Sequence, residues 1–188
     1  MIKKIKIFFL TISASFFSIF NKNTHAAKLW LEASNLDPIN PLYSTTAGKV
    51  LWQISKKFYA EKLFRLALKN NPAYVPALFN LAFILQEKNL HEQAVKLLSE
   101  VIEKEPNHDL AIYGRGLSNK TLGNNSEAIS DFKSTIKLQP MAPHAYYHLS
   151  LLLFKSENFS ELEDIIHKLS KFEPQVANQL KKELNIES

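Results

Sequence analysis

Five prolines stand 34 residues apart: Pro38, Pro72, Pro106, Pro140 and Pro174. A chain with that period is built from copies of one unit. Other columns keep the same step. Gly48, Ala82, Gly116 and Ser150 are all small, and Ala60, Ala94 and Ala128 are all alanine. Phe64, Leu98, Phe132 and Ile166 are all large and apolar. Four chemically different columns in one register make an internal repeat, and a fixed period of this length marks a stacked array. Within 75–108, Leu78, Leu81, Ala82 and Leu85 recur at helical spacing, as do Ala94, Leu97, Leu98 and Val101. Each unit thus holds two helices. The small column lets them approach closely, and the proline halts the second. One such hairpin cannot bury its apolar face alone, so neighbours must stack.

These residues resemble the tetratricopeptide repeat, a 34-residue helix–turn–helix. The unit 75–108 carries the likeness through Leu78, Leu81, Ala82, Leu85, Ala94, Leu98, Val101 and Pro106; the unit 41–74 carries it through Gly48, Leu51, Ala60, Phe64, Ala67 and Pro72. The unit 109–142 departs at Arg115 and Asn119, and the unit 143–176 at Leu162. The resemblance implies an all-α, right-handed α-solenoid with repeats at 41–74, 75–108, 109–142 and 143–176. It also implies a non-catalytic protein-binding role. Residues 177–188 are expected to form a capping helix, with Val176, Leu180 and Leu184 on one face.

The start of the chain has two readings. Lys3, Lys4 and Lys6 precede an uncharged run at 7–20, and Thr24-His25-Ala26 offers a cleavage site. Residues 1–26 therefore read as a secretory signal peptide, leaving 27–40 as a helix remnant of a degenerate repeat. A helix over that run spans about 21 Å, short of the ~30 Å of a hydrocarbon core. No stable membrane span is therefore expected after leader removal. In the other reading 7–40 is a fifth repeat, with Ala14 in the small column and Trp30 in the large one. That arrangement would expose Phe8, Phe9, Ile12, Phe16 and Ile19, which favours the leader.

The net charge of +5 comes from 23 basic and 18 acidic residues, and four of the lysines lie in 1–26 without an acid. The repeats carry no concentrated basic face, so nucleic acid is not an expected partner. The absence of cysteine removes disulfides and thiolate chemistry. No phosphate loop or nucleophile motif is present, so neither enzyme activity nor a cofactor is expected. His144 and His148 share a helical face but lack a third metal ligand. Ser126 is expected to cap one helix, and Ser160 with Glu163 to form a capping box at another.

The resemblance places positions 2, 5, 9 and 12 of each first helix on a concave groove. Position 5 gives Thr45, Phe79, Tyr113 and Tyr147. Position 9 gives Lys49, Phe83, Leu117 and Leu151, and position 12 gives Trp52, Gln86, Lys120 and Phe154. The proposed partner-binding residues are Lys49, Trp52, Phe79, Phe83, Tyr113, Leu117, Tyr147, Leu151 and Phe154. Such an apolar, aromatic lining suits an amphipathic helix or an extended apolar peptide. The basic clamp that some family members use for carboxylates is not matched, because Thr45, Leu110 and Gly114 replace its cations. Arg115 sits where the other copies are apolar. Its expected role is a packed stem with the head reaching water. Function is expected to be that of an exported scaffold, periplasmic or secreted. The alternative is a cytoplasmic chaperone for apolar segments that keeps the fifth repeat.

Overall fold

The computed structural model describes residues 2–186. Met1, at the head of the expected leader, and Glu187 and Ser188, at the end of the expected cap, lie outside the described residues. Among the described residues every regular element is an α-helix, eleven in all. They fall into two compact units, divided between Asn89 and Leu90.

The first unit holds α1 (Ile2–Ile19), α2 (Asn23–Leu36), α3 (Pro41–Gln53), α4 (Lys57–Asn70) and α5 (Val75–Glu87). Consecutive helices pack on one another. The α3–α4 pair shows why the columns exist. Phe64 is fully buried, and a Cβ on Gly48 would lie 2.6 Å from its ring. Only a glycine lets the helices close over that ring. The side chain of Asn40 caps α3 by accepting from the Leu42 N–H at 3.0 Å, with Pro41 at the first helical position. Asn70 Nδ2 donates to the Pro38 carbonyl at 2.6 Å, tying the end of α4 to the preceding inter-repeat turn.

Residues 27–40 are not an isolated remnant here. α2 pairs with α1, burying Ala14 and Trp30 in the small and large columns, and Lys6 bridges Glu32 at 2.8 Å. The turn between the two helices is also the repeat's own. Asn21, Ser55, Asn89, Gly123 and Glu157 stand 34 apart, and all have left-handed φ, between 56° and 82°. α1 nevertheless leaves Phe8, Phe9, Ile12, Phe16 and Ile19 exposed.

The second unit holds α6 (His91–Lys104), α7 (Asp109–Leu122), α8 (Asn125–Leu138), α9 (Pro143–Lys155), α10 (Phe159–Ser170) and α11 (Pro174–Glu183). Its core runs from Ala128 and Phe132 through Leu149, Leu153, Leu162 and Leu169 to Leu180 of α11. Gly116 repeats the device of Gly48, since a Cβ there would lie 2.9 Å from the ring of Phe132. Pro174 breaks the pattern of its column: it does not close a helix but opens α11, three residues before the expected cap.

Three local expectations shift. Asn124, not Ser126, stands before α8, and Ser126 Oγ instead donates to Glu127 Oε2 at 2.8 Å. At α10 the cap lies two residues earlier than expected: Asn158 accepts from the Glu161 N–H and donates to Glu161 Oε2 at 3.0 Å. Both shifts have one cause. The left-handed residue ends the turn, so the residue after it stands at the N-cap; Asn158 caps there with its side chain and Asn124 does not. Arg115 differs more. Its head does not reach for water. Nε and Nη2 donate to the two oxygens of buried Asp131 at 3.0 and 2.7 Å, and Nη1 donates to Ser99 Oγ at 3.2 Å. A carboxylate 16 residues on lies across the hairpin, at the same separation as Gly116 and Phe132.

Candidate partner-binding faces

In the first unit α3 and α5 present the expected residues side by side. The rings of Trp52 and Phe83 lie 6.2 Å apart, and Phe79 meets Phe83 edge-on at 4.9 Å. All three are half-buried, and Lys49 is exposed. A cleft of about 270 Å³ opens among Lys49, Trp52, Gln53 and Asn80. Lys49, Trp52, Phe79 and Phe83 therefore belong to one continuous face. Thr45 does not join them, because it is buried and its hydroxyl lacks a hydrogen-bond partner.

In the second unit the face is built by α7 and α9, with α11 beside α9. Tyr113, Leu117, Tyr147 and Leu151 all lean on the core and keep one side accessible. Their centre is His148, in the groove-facing role that its sequence position favours over metal binding. Its ring stacks on Phe132 at 5.5 Å, and Tyr113 and Tyr147 flank it at 6.2 and 5.4 Å. Lys120 Nζ lies 3.1 Å from His148 Nδ1. Burial, then the charges of Lys120 and His144, lower the His148 pKa from its ordinary value of 6.5 to about 4. A neutral imidazole thus accepts from the ammonium. Burial also lowers the pKa of Lys120, and among the described residues no carboxylate pairs with it. Tyr113 is raised by burial.

Tyr147 is partly committed already. Its hydroxyl donates to Glu183 Oε2 of α11 at 2.7 Å, and this bond raises its pKa. Phe154 stands apart from the cluster, edge-on to Phe159 at 6.0 Å, near the turn between α9 and α10. The pairing of Lys120 with His148, which the proposed residue set leaves out, had a signal in the register. They occupy the positions of Trp52 and Asn80 one double repeat earlier, and those two line a shared cleft. Among the described residues no group of three His, Asp or Glu side chains is placed to hold a metal ion. Nor is any helix long and apolar enough to cross a membrane.

Antiparallel helical hairpins in a 34-residue register, each with an accessible first-helix face, define a helical-repeat protein. The tetratricopeptide repeat family model matches residues 60–114. Human tetratricopeptide repeat protein 6 is 24% identical over 149 residues, covering 62% of this chain and 29% of that protein. The chain spans less than a third of the length of the curated relatives it matches. Among solved structures, MamA from Desulfovibrio magneticus RS-1, residues 41 to the end, superposes with a TM-score of 0.82 at 16% identity, covering 90% of this chain and 96% of that one. YrrB, described as a TPR protein with an unusual peptide-binding site, superposes with a TM-score of 0.79 at 21% identity, covering 92% and 90%. These likenesses show the fold, an α-solenoid of helix–turn–helix repeats. Residues 60–114 match the tetratricopeptide repeat, and the fold around them is that of helix–turn–helix solenoids.

Proposed function

We propose that this chain is a non-catalytic interaction scaffold that takes apolar side chains of a partner peptide or helix on its first-helix faces. The observation that carries the reading is the ring cluster of Trp52, Phe79 and Phe83, half-exposed beside an open cleft. Aromatic residues in such settings dominate binding energy. The second face adds a charge. Lys120 holds an ammonium in apolar surroundings with only a neutral imidazole beside it, so an acidic side chain of the partner is its natural complement. The likeness to YrrB and to MamA supports a peptide- or protein-binding role. A photo-crosslinking residue placed at Phe83 or Leu151 tests it. A discrete adduct at both positions is expected, absent when the same residue replaces Phe58 on α4. Equal adducts at Phe58 would overturn the assignment of the face.

Export as an accessory of a cell-envelope assembly belongs to the same proposal. It is supported by the lysines at 3, 4 and 6, the uncharged run and Thr24-His25-Ala26. A cytoplasmic chaperone that keeps α1 is the second reading, favoured by the α1–α2 hairpin and its left-handed Asn21. N-terminal mass spectrometry of the natively produced protein separates them. A mature start at Ala27 means export, and a start at Met1 or Ile2 on a soluble species means the fifth repeat is retained.

A further inference from the structure

On the side of the first unit away from the aromatic face, α2, α3 and α4 enclose a pocket of about 470 Å³. Its surface is almost wholly apolar, provided by Ala27, Leu31, Leu51, Ile54, Tyr59 and Leu63. Thr24, Lys28, Lys56 and Lys62 complete the lining. Among the described residues Lys28 and Lys56 form no ion pair, and Lys62 Nζ rests over the Phe58 ring at 4.4 Å. The volume lies within the range of small-molecule sites.

Some of the same positions one and three repeats on carry charge. Thirty-four residues on, Ala27, Leu31 and Ile54 become Glu61, Arg65 and Lys88. There both cations bridge the Glu61 carboxylate. In the second unit Leu31 and Tyr59 become Lys133 and Glu161, which pair at 2.6 Å. Those positions satisfy themselves with charge. The first unit instead has an apolar hollow with Lys28 and Lys56 outside any ion pair.

We propose that this pocket binds a single-chain anionic amphiphile, with the alkyl chain against Leu31, Leu51 and Leu63 and the acid head among Lys28, Lys56 and Lys62. An alkyl chain suits the interior because that interior offers almost nothing to hydrogen-bond. A peptide backbone entering it would leave its amide groups unpaired, at a cost of a few kcal/mol each. The lysine rim selects an anionic head over a neutral one. The site is separate from the partner-binding faces and does not rest on them.

The test is calorimetric titration of the full chain with sodium laurate below its micellar concentration, and with 1-dodecanol, which has the same chain and no charge. Laurate is expected to bind, and dodecanol to bind about tenfold more weakly or less. The double variant Ala27→Glu/Leu31→Arg installs the ion pair that α4 carries at Glu61 and Arg65. It is expected to lose laurate binding by about tenfold or more while keeping its helical melt. Should that variant melt early, Lys28→Gln/Lys56→Gln carries the test, with laurate weakened to the level of dodecanol. No laurate binding, equal binding of the two ligands, or undiminished binding to a folded double variant would each overturn the proposal.

Discussion

The hairpins α3–α4 and α7–α8 are the same device with one cluster of side chains exchanged. Both close a glycine over a fully buried phenylalanine, Gly48 over Phe64 and Gly116 over Phe132. One residue earlier on each helix they part company. The first has Ala47 and Leu63, and the second has Arg115 and Asp131 in a two-bond ion pair, with buried Asn119, in the position of Leu51, donating to Asp131 Oδ2 at 3.3 Å. The glycine–phenylalanine crossing sets how close the helices come, and the site beside it accepts either apolar packing or a bonded charge pair. The second solution is conditional. A guanidinium and a buried carboxylate hold together only while both are present, and apolar residues of suitable size replace such pairs with little loss.

The largest effect is therefore expected from removing half of the pair. Asp131→Leu leaves Arg115 without its carboxylate and should destabilise the fold by on the order of 3 kcal/mol. Adding Arg115→Ala and Asn119→Leu recreates the Ala47, Leu51 and Leu63 arrangement and should recover most of that loss in a denaturant titration. A triple variant no more stable than Asp131→Leu would show that the two hairpins are not interchangeable at this site. Next come Gly48→Leu and Gly116→Leu, expected to cost about 1–3 kcal/mol each by overpacking against a ring that cannot move. Gly48 should be the more sensitive, since its imagined Cβ lies nearer the ring, at 2.6 Å against 2.9 Å. Thermal melts of the two variants check both the loss and its order.

The turns differ in the same pair of hairpins. Gly123 takes φ 82° without strain, whereas Ser55 holds φ 61° with a side chain attached. Ser55→Gly should raise stability by about 1 kcal/mol or less, because a left-handed conformation is costly for residues other than glycine. An unchanged or lower melting temperature would show that the serine side chain contributes more than its backbone costs.

The partner-facing sites extend the comparison. Trp52 and Asn80 in the first unit become Lys120 and His148 in the second. The folded-state pKa of His148 lies near 4, below its ordinary 6.5, so protonation favours the unfolded chain. The groups facing it are Lys120, His144, Tyr113 and Tyr147. Its contribution to stability is complete above pH 6.5 and is lost as the pH falls from 6.5 towards 4. Replacing His148 with Gln should flatten the stability profile within that window, and a profile that stays equally steep would remove His148 as its cause.

Much of this was legible in the sequence. The 34-residue step placed the helices α2 to α10 and the small–large crossings, because helix contacts in a repeat recur wherever the residues do. It brought Trp52, Phe79 and Phe83 together for the same reason. Pair chemistry was not legible until the 16-residue separation across a hairpin was known. Arg115 found Asp131 that way, and Lys120 met His148 across neighbouring first helices. The caps moved because the left-handed turn residue, hidden in four of five copies behind Asn, Ser or Glu, sets where each second helix starts. Pro174 misled for a local reason, since a proline is as well suited to the first position of a helix as to the turn after one.

The central claim is that the first-helix aromatics bind a partner and are not merely core. It is tested most directly by measuring, for Phe83→Ala and Tyr113→Ala, both affinity for the crosslinked partner and melting temperature. Phe83 sits in the surface ring cluster, and Tyr113 leans on Phe132 at 5.8 Å. The account predicts that Phe83→Ala loses about 2 kcal/mol of binding, roughly thirtyfold in affinity, with a nearly unchanged melt, while Tyr113→Ala loses binding and some stability together. Full affinity in Phe83→Ala, or a collapse of its melting temperature, would contradict it.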